Sequence, residues 1–414
     1  VSTHLSRPSY AAVLRVPHAR RAFTAALTAR LSYGTVALAV LLSVSRGTGS
    51  WAVSGTVLSL FGATTVFLMP LRASLIDRHG PRRALLPMSA LYGALLSVLA
   101  ALTWRPGAPA APIAVSAALA GACAPPLGPV MRALWSELVA DADLLRRAYS
   151  LDGVAEELLY VSGPALVGVL AGFAPPAAGI LLSAVLNVAG TCAFVSSPVL
   201  PAPRPARRRE RPAAVRGLLP PVAVALGVGL ALSSVELLVM AFATERSYDP
   251  ALVPWVLGAL SAGSALGGLA NGAVRWRTAA RVRLGRFAAA LGVVLALAGL
   301  VCDLWTLTAV MALAGAFIAP ALTTAYLLAD ETAAEGSRTR AGAWVNTGVN
   351  AGSSAGALAA GLLIGRLPLS VCFALAGATA LAAAAAAAVR PRGAGGRPHG
   401  SPRRREAAGE PPAA

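Results

Sequence analysis

Twelve apolar runs, each long enough to cross a bilayer, divide this chain, and thirty of its thirty-five arginines fall in alternate gaps between them. A transmembrane helix needs about 17–25 apolar residues to traverse the hydrocarbon. The runs lie near 22–45, 52–73, 84–104, 112–133, 148–173, 176–198, 218–244, 252–274, 285–302, 305–328, 342–365 and 368–389. Lysine is absent. Arginines gather before the first run and after the second (Arg72, Arg78, Arg82, Arg83), the fourth (Arg132, Arg146, Arg147) and each later even-numbered run. The opposite gaps hold only Arg46, Arg105, Arg246 and Arg366, and Arg30 stands alone inside a run. By the positive-inside rule the crowded side is cytoplasmic. The reading is a multi-pass plasma-membrane protein with both termini cytoplasmic. Trp51, Trp104, Trp255 and Trp305 fall at outer ends of runs, Trp135 and Trp276 at inner ends, as interfacial tryptophan does.

The net charge of +18 would by itself point to nucleic acid, but arginines that alternate with apolar runs build no continuous basic face. No nucleic-acid partner is expected. The four cysteines sit in or at the ends of apolar runs without paired spacing, and the four histidines sit in tails and loops. Neither set forms a metal site, and no cofactor is implied. No nucleotide-binding or catalytic constellation occurs, so an enzyme is not expected. The organisation reads as an N-terminal tail (1–21), a six-helix bundle (22–198), an Arg- and Pro-rich cytoplasmic linker (199–217), a second six-helix bundle (218–389) and a disordered basic tail (390–414). The two bundles repeat: at an offset of 194, Ala120-Gly121-Ala122 and Pro126 align with Ala314-Gly315-Ala316 and Pro320. The expected fold is an all-α polytopic membrane protein, with twelve transmembrane helices in two parallel-repeat bundles.

The loop after the second run reads Ala73-Ser74-Leu75-Ile76-Asp77-Arg78-His79-Gly80-Pro81-Arg82-Arg83. Gly80 permits a tight turn, Asp77 can cap or pair across an inner gate, and the arginines pin the loop to the inner face. The fifth run carries Gly163, Pro164 and Gly168, where a freed carbonyl and small residues allow a kink and close helix contact. In these segments, and in Ala29-Arg30-Leu31-Ser32-Tyr33-Gly34 and Val235-Glu236, the chain resembles the major facilitator superfamily over nearly its whole length. The segments Ala29–Gly34 and Val235-Glu236 resemble actinobacterial-type efflux permeases of that superfamily. The loop is similar to the family's helix 2–3 signature, with Ala73 and Pro81 as departures, and the resemblance implies that it stabilises one access state. The fifth-run motif is similar to an exporter-associated pattern, with Val167 and Leu159 in glycine positions. The arginine that the family carries in the fourth span is Ala117 here.

Ionisable side chains at mid-bilayer cost about 2.5–3.5 kcal/mol each, so they face a cavity or a partner. Asp152, Glu156 and Tyr160 recur at four-residue spacing and share one helix face; Glu157 points about 100° away, toward a neighbouring helix. Arg30 and Glu156 each lie nine residues beyond an arginine of the inner face, or roughly 13 Å deep. Equal depth predicts an Arg30–Glu156 pair, with the resemblance placing both spans along one cavity. Asp152, nearer the interface, reads as solvated. Glu236 falls in the outer half of the seventh run and is the first choice for a proton-coupling acid, with Glu156 and Asp152 as further candidates. Tyr33, Tyr160, Asn346 and Asn350 are candidates for the substrate cavity. The function expected is secondary transport by alternating access: proton-coupled efflux of a small organic molecule by a monomer. An importer or uniporter on the same fold, or a non-transporting sensor or scaffold, remains the alternative.

Overall fold

The computed structural model describes residues 9–107, 109–200, 212–334 and 336–388. Most of the segment read as a linker and all of the basic tail lie outside these residues. A short helix, α1 (Tyr10–Arg15), precedes α2 (Ala19–Thr48). The second run forms α3 (Trp51–Phe67) and α4 (Met69–His79), bent by 42° where Pro70 enters the chain. Gly80, at φ 82°, makes the turn into α5 (Pro81–Leu102). The fourth run is broken at Ala124-Pro125-Pro126 into α6 (Ala110–Cys123) and α7 (Leu127–Leu138), because neither proline can donate to the helix ladder. Next come α8 (Ala142–Ala171) and α9 (Ala177–Val195). The second set comprises α10 (Pro212–Glu245), α11 (Val253–Ala273), α12 (Ala280–Ala298), α13 (Leu304–Thr332), α14 (Arg338–Leu363) and α15 (Leu369–Ala388). Helix α10 therefore starts inside the segment read as linker.

Among the described residues nine helices, or ten with the bent α3–α4 pair, are long and apolar enough to cross a membrane by composition alone. The other two of the twelve fall short for visible reasons. Helix α12 opens with Arg281, Arg283 and Arg286, and α14 is diluted by Asn346, Thr347, Asn350, Ser353 and Ser354. The bundles share one packing scheme. As α2 packs on α8 and α9, so α10 packs on α14 and α15; as α3 packs on α6 and α5 on α9, so α11 packs on α13 and α12 on α15. The aligned glycines explain part of it. A Cβ on Gly121 would lie 2.3 Å from the Phe61 carbonyl of α3, and one on Gly315 would lie 2.0 Å from the Leu260 carbonyl of α11. Each glycine permits the same close helix crossing in its own bundle.

Trp51, Trp255 and Trp305 lie exposed at the helix ends opposite the arginines, as interfacial residues should. Trp135 does not follow. It is fully buried, its ring 5.5 Å from that of Phe23, so it is core rather than interface. Several arginines read as surface topology markers are also buried, namely Arg72, Arg132, Arg146, Arg147 and Arg283. The principal contacts between bundles pair α8 with α11 and α13, and α14 with α3, α4 and α7. Among the described residues, the hydrogen bonds across these pairs fall between mid-membrane and the arginine-rich end, and none lies at the opposite end.

Candidate functional site

Two arginines and two carboxylates close a buried ring where α2, α7 and α8 meet. Arg30 Nη1 lies 2.6 Å from Asp152 Oδ1, and its Nη2 lies 3.0 Å from Glu156 Oε2. Arg132 reaches the same acids from α7, with Nε 3.1 Å from Asp152 Oδ2 and Nη2 donating to Glu156 Oε2. The charges alternate and cancel. The four-residue spacing stacks the acids one turn apart on α8. The break before α7 aims Arg132 between them, and the Tyr149 hydroxyl holds its backbone by donating to the Arg132 carbonyl at 3.0 Å. Gly128 borders the ring without being required for room, since a Cβ there would make only ordinary contact, 3.5 Å from Arg132 Nη1 and 3.7 Å from Glu156 Oε1. Asp152 is fully buried, contrary to the expectation that it is solvated; burial is tolerable because two guanidinium groups meet it. Arg132, which the arginine pattern alone places with the inner-face markers, instead supplies half of the ring's positive charge.

The second bundle touches this ring through Tyr326 of α13, whose ring centroid lies 3.8 Å from Arg132 Cζ. Asn346 Nδ2 donates to the Tyr326 hydroxyl at 3.4 Å, and Asn350 Nδ2 donates to Asn346 Oδ1 at 2.8 Å. The two asparagines thus lie on one face of α14 and reach the charged ring by way of the tyrosine. Tyr33 donates to the Pro125 carbonyl at the α6–α7 break, whereas Tyr160 is exposed one turn beyond Glu156. Glu236 stands elsewhere, exposed in the half of α10 away from the arginine-rich end.

The arginine-rich end is closed by side chains that meet helix termini of the opposite bundle. Asp77 Oδ2 accepts the Arg340 amide at 3.0 Å, in the first turn of α14, where the helix dipole favours negative charge. Arg147 donates to the Ala273 carbonyl at 3.1 Å and Arg146 to that of Val274, placing positive charge at the C-terminus of α11. Arg338 bonds Ser136 at 3.0 Å and pairs with Asp330 at 3.5 Å. Tyr10 of α1 donates to the Leu269 carbonyl, and burial pushes its phenol pKa up. Within the 73–83 loop the roles divide. Asp77 crosses between bundles, Arg82 donates to Ser197 of its own bundle at 3.0 Å, and Arg78 and Arg83 are exposed. Asp77→Ala removes one charge-assisted hydrogen bond, worth about 1.5–3 kcal/mol. It is expected to lower the closed-to-open ratio at this end by about tenfold or more, read by label distances between the bundles.

Residues 22–302 match the sequence model of the Major Facilitator Superfamily. The chain belongs to that superfamily. Among solved structures it is similar to the human organic anion transporter MFSD10 (TETRAN), at 17% identity and TM-score 0.65, covering 90% of this chain and 99% of that one. It is also similar to a bacterial homologue of the iron transporter ferroportin in an outward-facing state, at 15% identity and TM-score 0.67, covering 89% and 97%. The same homologue with soaked iron gives 16% identity and TM-score 0.66. At these identities the likeness is one of fold. No curated protein sequence matches the chain.

The fifth-span motif of this superfamily member has a packing explanation at one of its glycines. A Cβ on Gly163 would lie 2.4 Å from the Gly34 carbonyl carbon of α2, and one on Gly34 would lie 2.3 Å from the Leu159 carbonyl of α8. Pro164 is half-buried, and Gly168 faces open space. Gly163→Leu is expected to destabilise the fold by about 1–3 kcal/mol through backbone displacement. Gly168→Leu should leave it within about 0.5 kcal/mol. Thermal unfolding of the two purified variants compares them.

Proposed function

We propose that this protein is a secondary transporter that works by alternating access and exports a small organic molecule, a drug or natural product, in exchange for protons. The observation that carries the reading is one-sided closure. The hydrogen bonds between the bundles gather at the arginine-rich end, which the positive-inside rule makes cytoplasmic, and among the described residues none lies at the other end, while ionisable groups stand near the junction in mid-membrane. A ring at that junction is covered from one side at a time when the bundles rock. Tyr160, Asn346 and Asn350 border the junction and are proposed to contact substrate; Tyr33 is proposed to brace the α6–α7 break beneath them. Asp152 and Glu156 are each committed to two arginines, which supports a structural role in preference to proton carriage. Glu236 stays as the coupling acid of the open side. The plasma membrane is the proposed location, with both termini cytoplasmic.

The test is substrate-screened flux in reconstituted vesicles with an imposed pH gradient. Export reads as movement of a compound against its gradient, opposite to the proton. Movement in the same direction as the proton would make the protein an importer. Flux indifferent to the pH gradient would remove proton coupling.

A further inference from the structure

Helices α8 and α11 run antiparallel and close like a zipper. From the arginine-rich end inward the rungs pass from Arg147 with Ala273, through Val154 beside Gly268, to Glu157 with Ser264. Glu157 is the innermost rung. One turn further on Val161 is 63% exposed, and among the described residues no hydrogen bond joins α8 to α11 beyond this carboxyl. Ser264 Oγ donates to Glu157 Oε1, while Oε2 is buried without a hydrogen-bond partner.

The surroundings offer this carboxyl no counter-charge. Helix α11 contains no titratable residue from Val253 to Ala273. Arg30 of α2 and Arg132 of α7 are taken up by Asp152 and Glu156, and Tyr326 of α13 lies against Arg132. Asp330 and Glu331 of α13 lie toward the arginine-rich end, as does Tyr10 of α1, and α9 carries no charged residue. The adjacent charge on α8 is Glu156, of like sign. A buried carboxylate with one oxygen unpaired and a like charge beside it is costly, whereas the neutral acid leaves only an uncharged O–H unpaired, a much smaller cost. Parting of α8 from α11 would return the same carboxyl to water.

We propose that Glu157 is a proton-binding site that couples protonation to closure. With a proton on Oε2 the arginine-rich end stays shut; loss of that proton to water on that side accompanies the parting of α8 from α11. This rests on the alternating-access reading and names where a proton acts within it. It also assigns Ser264 as the hydroxyl that positions the acid across the junction.

The experiment measures the distance between nitroxide labels on cysteines placed at Ala140 and Thr278, both exposed at the arginine-rich end, after replacing the four native cysteines. Pulsed electron paramagnetic resonance in lipid nanodiscs from pH 5 to 9 follows the short and long distance populations without any ligand. In the parent the short-to-long ratio should fall as pH rises, by up to about tenfold per unit for one proton bound only in the closed state. Glu157→Gln should hold the short distance at every pH, and Glu157→Asp should restore the dependence with a displaced midpoint. Ser264→Ala, which leaves the carboxyl in place, should move the midpoint and keep the slope. If Glu157→Gln follows the parent curve, Glu157 is overturned while alternation stands. A single distance at all pH values in both proteins would overturn the alternating-access reading as well.

Discussion

Asp152→Ala is expected to lower stability by about 3–5 kcal/mol, the cost of leaving buried charge without its partner. Asp152 is fully buried and is the 2.6 Å partner of Arg30 and the 3.1 Å partner of Arg132. Its removal leaves two guanidinium groups to share Glu156, with one positive charge uncompensated inside the membrane. Glu156→Ala breaks as many ion pairs, yet its side chain keeps 23% of its exposure, so water offsets part of the loss. The expected order is therefore Asp152→Ala below Glu156→Ala in melting temperature. The pair Arg30→Met with Asp152→Ala restores neutrality and should recover much of the difference, because replacing both members of a buried pair is far cheaper than removing one. Thermal unfolding of the purified variants decides it. If the double variant melts no higher than Asp152→Ala, uncompensated charge is not the cause.

Much of this arrangement can be read in the chain because membrane physics leaves few options. Apolar length, alternating arginines and a 194-residue repeat are long-range regularities, and the helices follow them. The depth argument that paired Arg30 with Glu156 also worked geometrically, since two helices that start from the same face carry equal residue counts to equal depth. What failed was the reading of single arginines. Arg132 and Arg147 stand at run ends, where a topology signal and a buried ligand look alike; the difference lies in what the neighbouring helix offers. The one visible hint at Arg132 is apolar sequence on both sides, Val130-Met131 before it and Ala133-Leu134-Trp135 after. The Ala124-Pro125-Pro126 break shows how it is turned inward, but only with α8 in place does its pairing become evident. The partnership of Glu157 with Ser264 was equally hidden. Spacing shows that Glu157 faces away from Glu156, yet no local signal names a serine 107 residues later.

Glu236→Gln is expected to abolish accumulation driven by a proton gradient while leaving exchange of substrate across the vesicle membrane. A potential of about 100 mV contributes roughly 2.3 kcal/mol per charge, and one pH unit adds about 1.4 kcal/mol. One proton per cycle can therefore sustain a substrate ratio near 500, at about 1.36 kcal/mol per decade. A glutamine cannot carry the proton, so the ratio should fall to about one if Glu236 is the coupling acid. We propose this role from its position: Glu236 is exposed in the half of α10 away from the arginine-rich end, the half that the positive-inside rule turns outward. Glu157 lies deeper, in the junction itself. The two variants should therefore separate in measurement. Glu236→Gln keeps the pH-dependent distance change at the arginine-rich end and loses only driven accumulation, whereas Glu157→Gln loses the distance change itself. Undiminished accumulation in Glu236→Gln would take this residue out of the coupling mechanism and leave the junction acid as the one that senses the gradient.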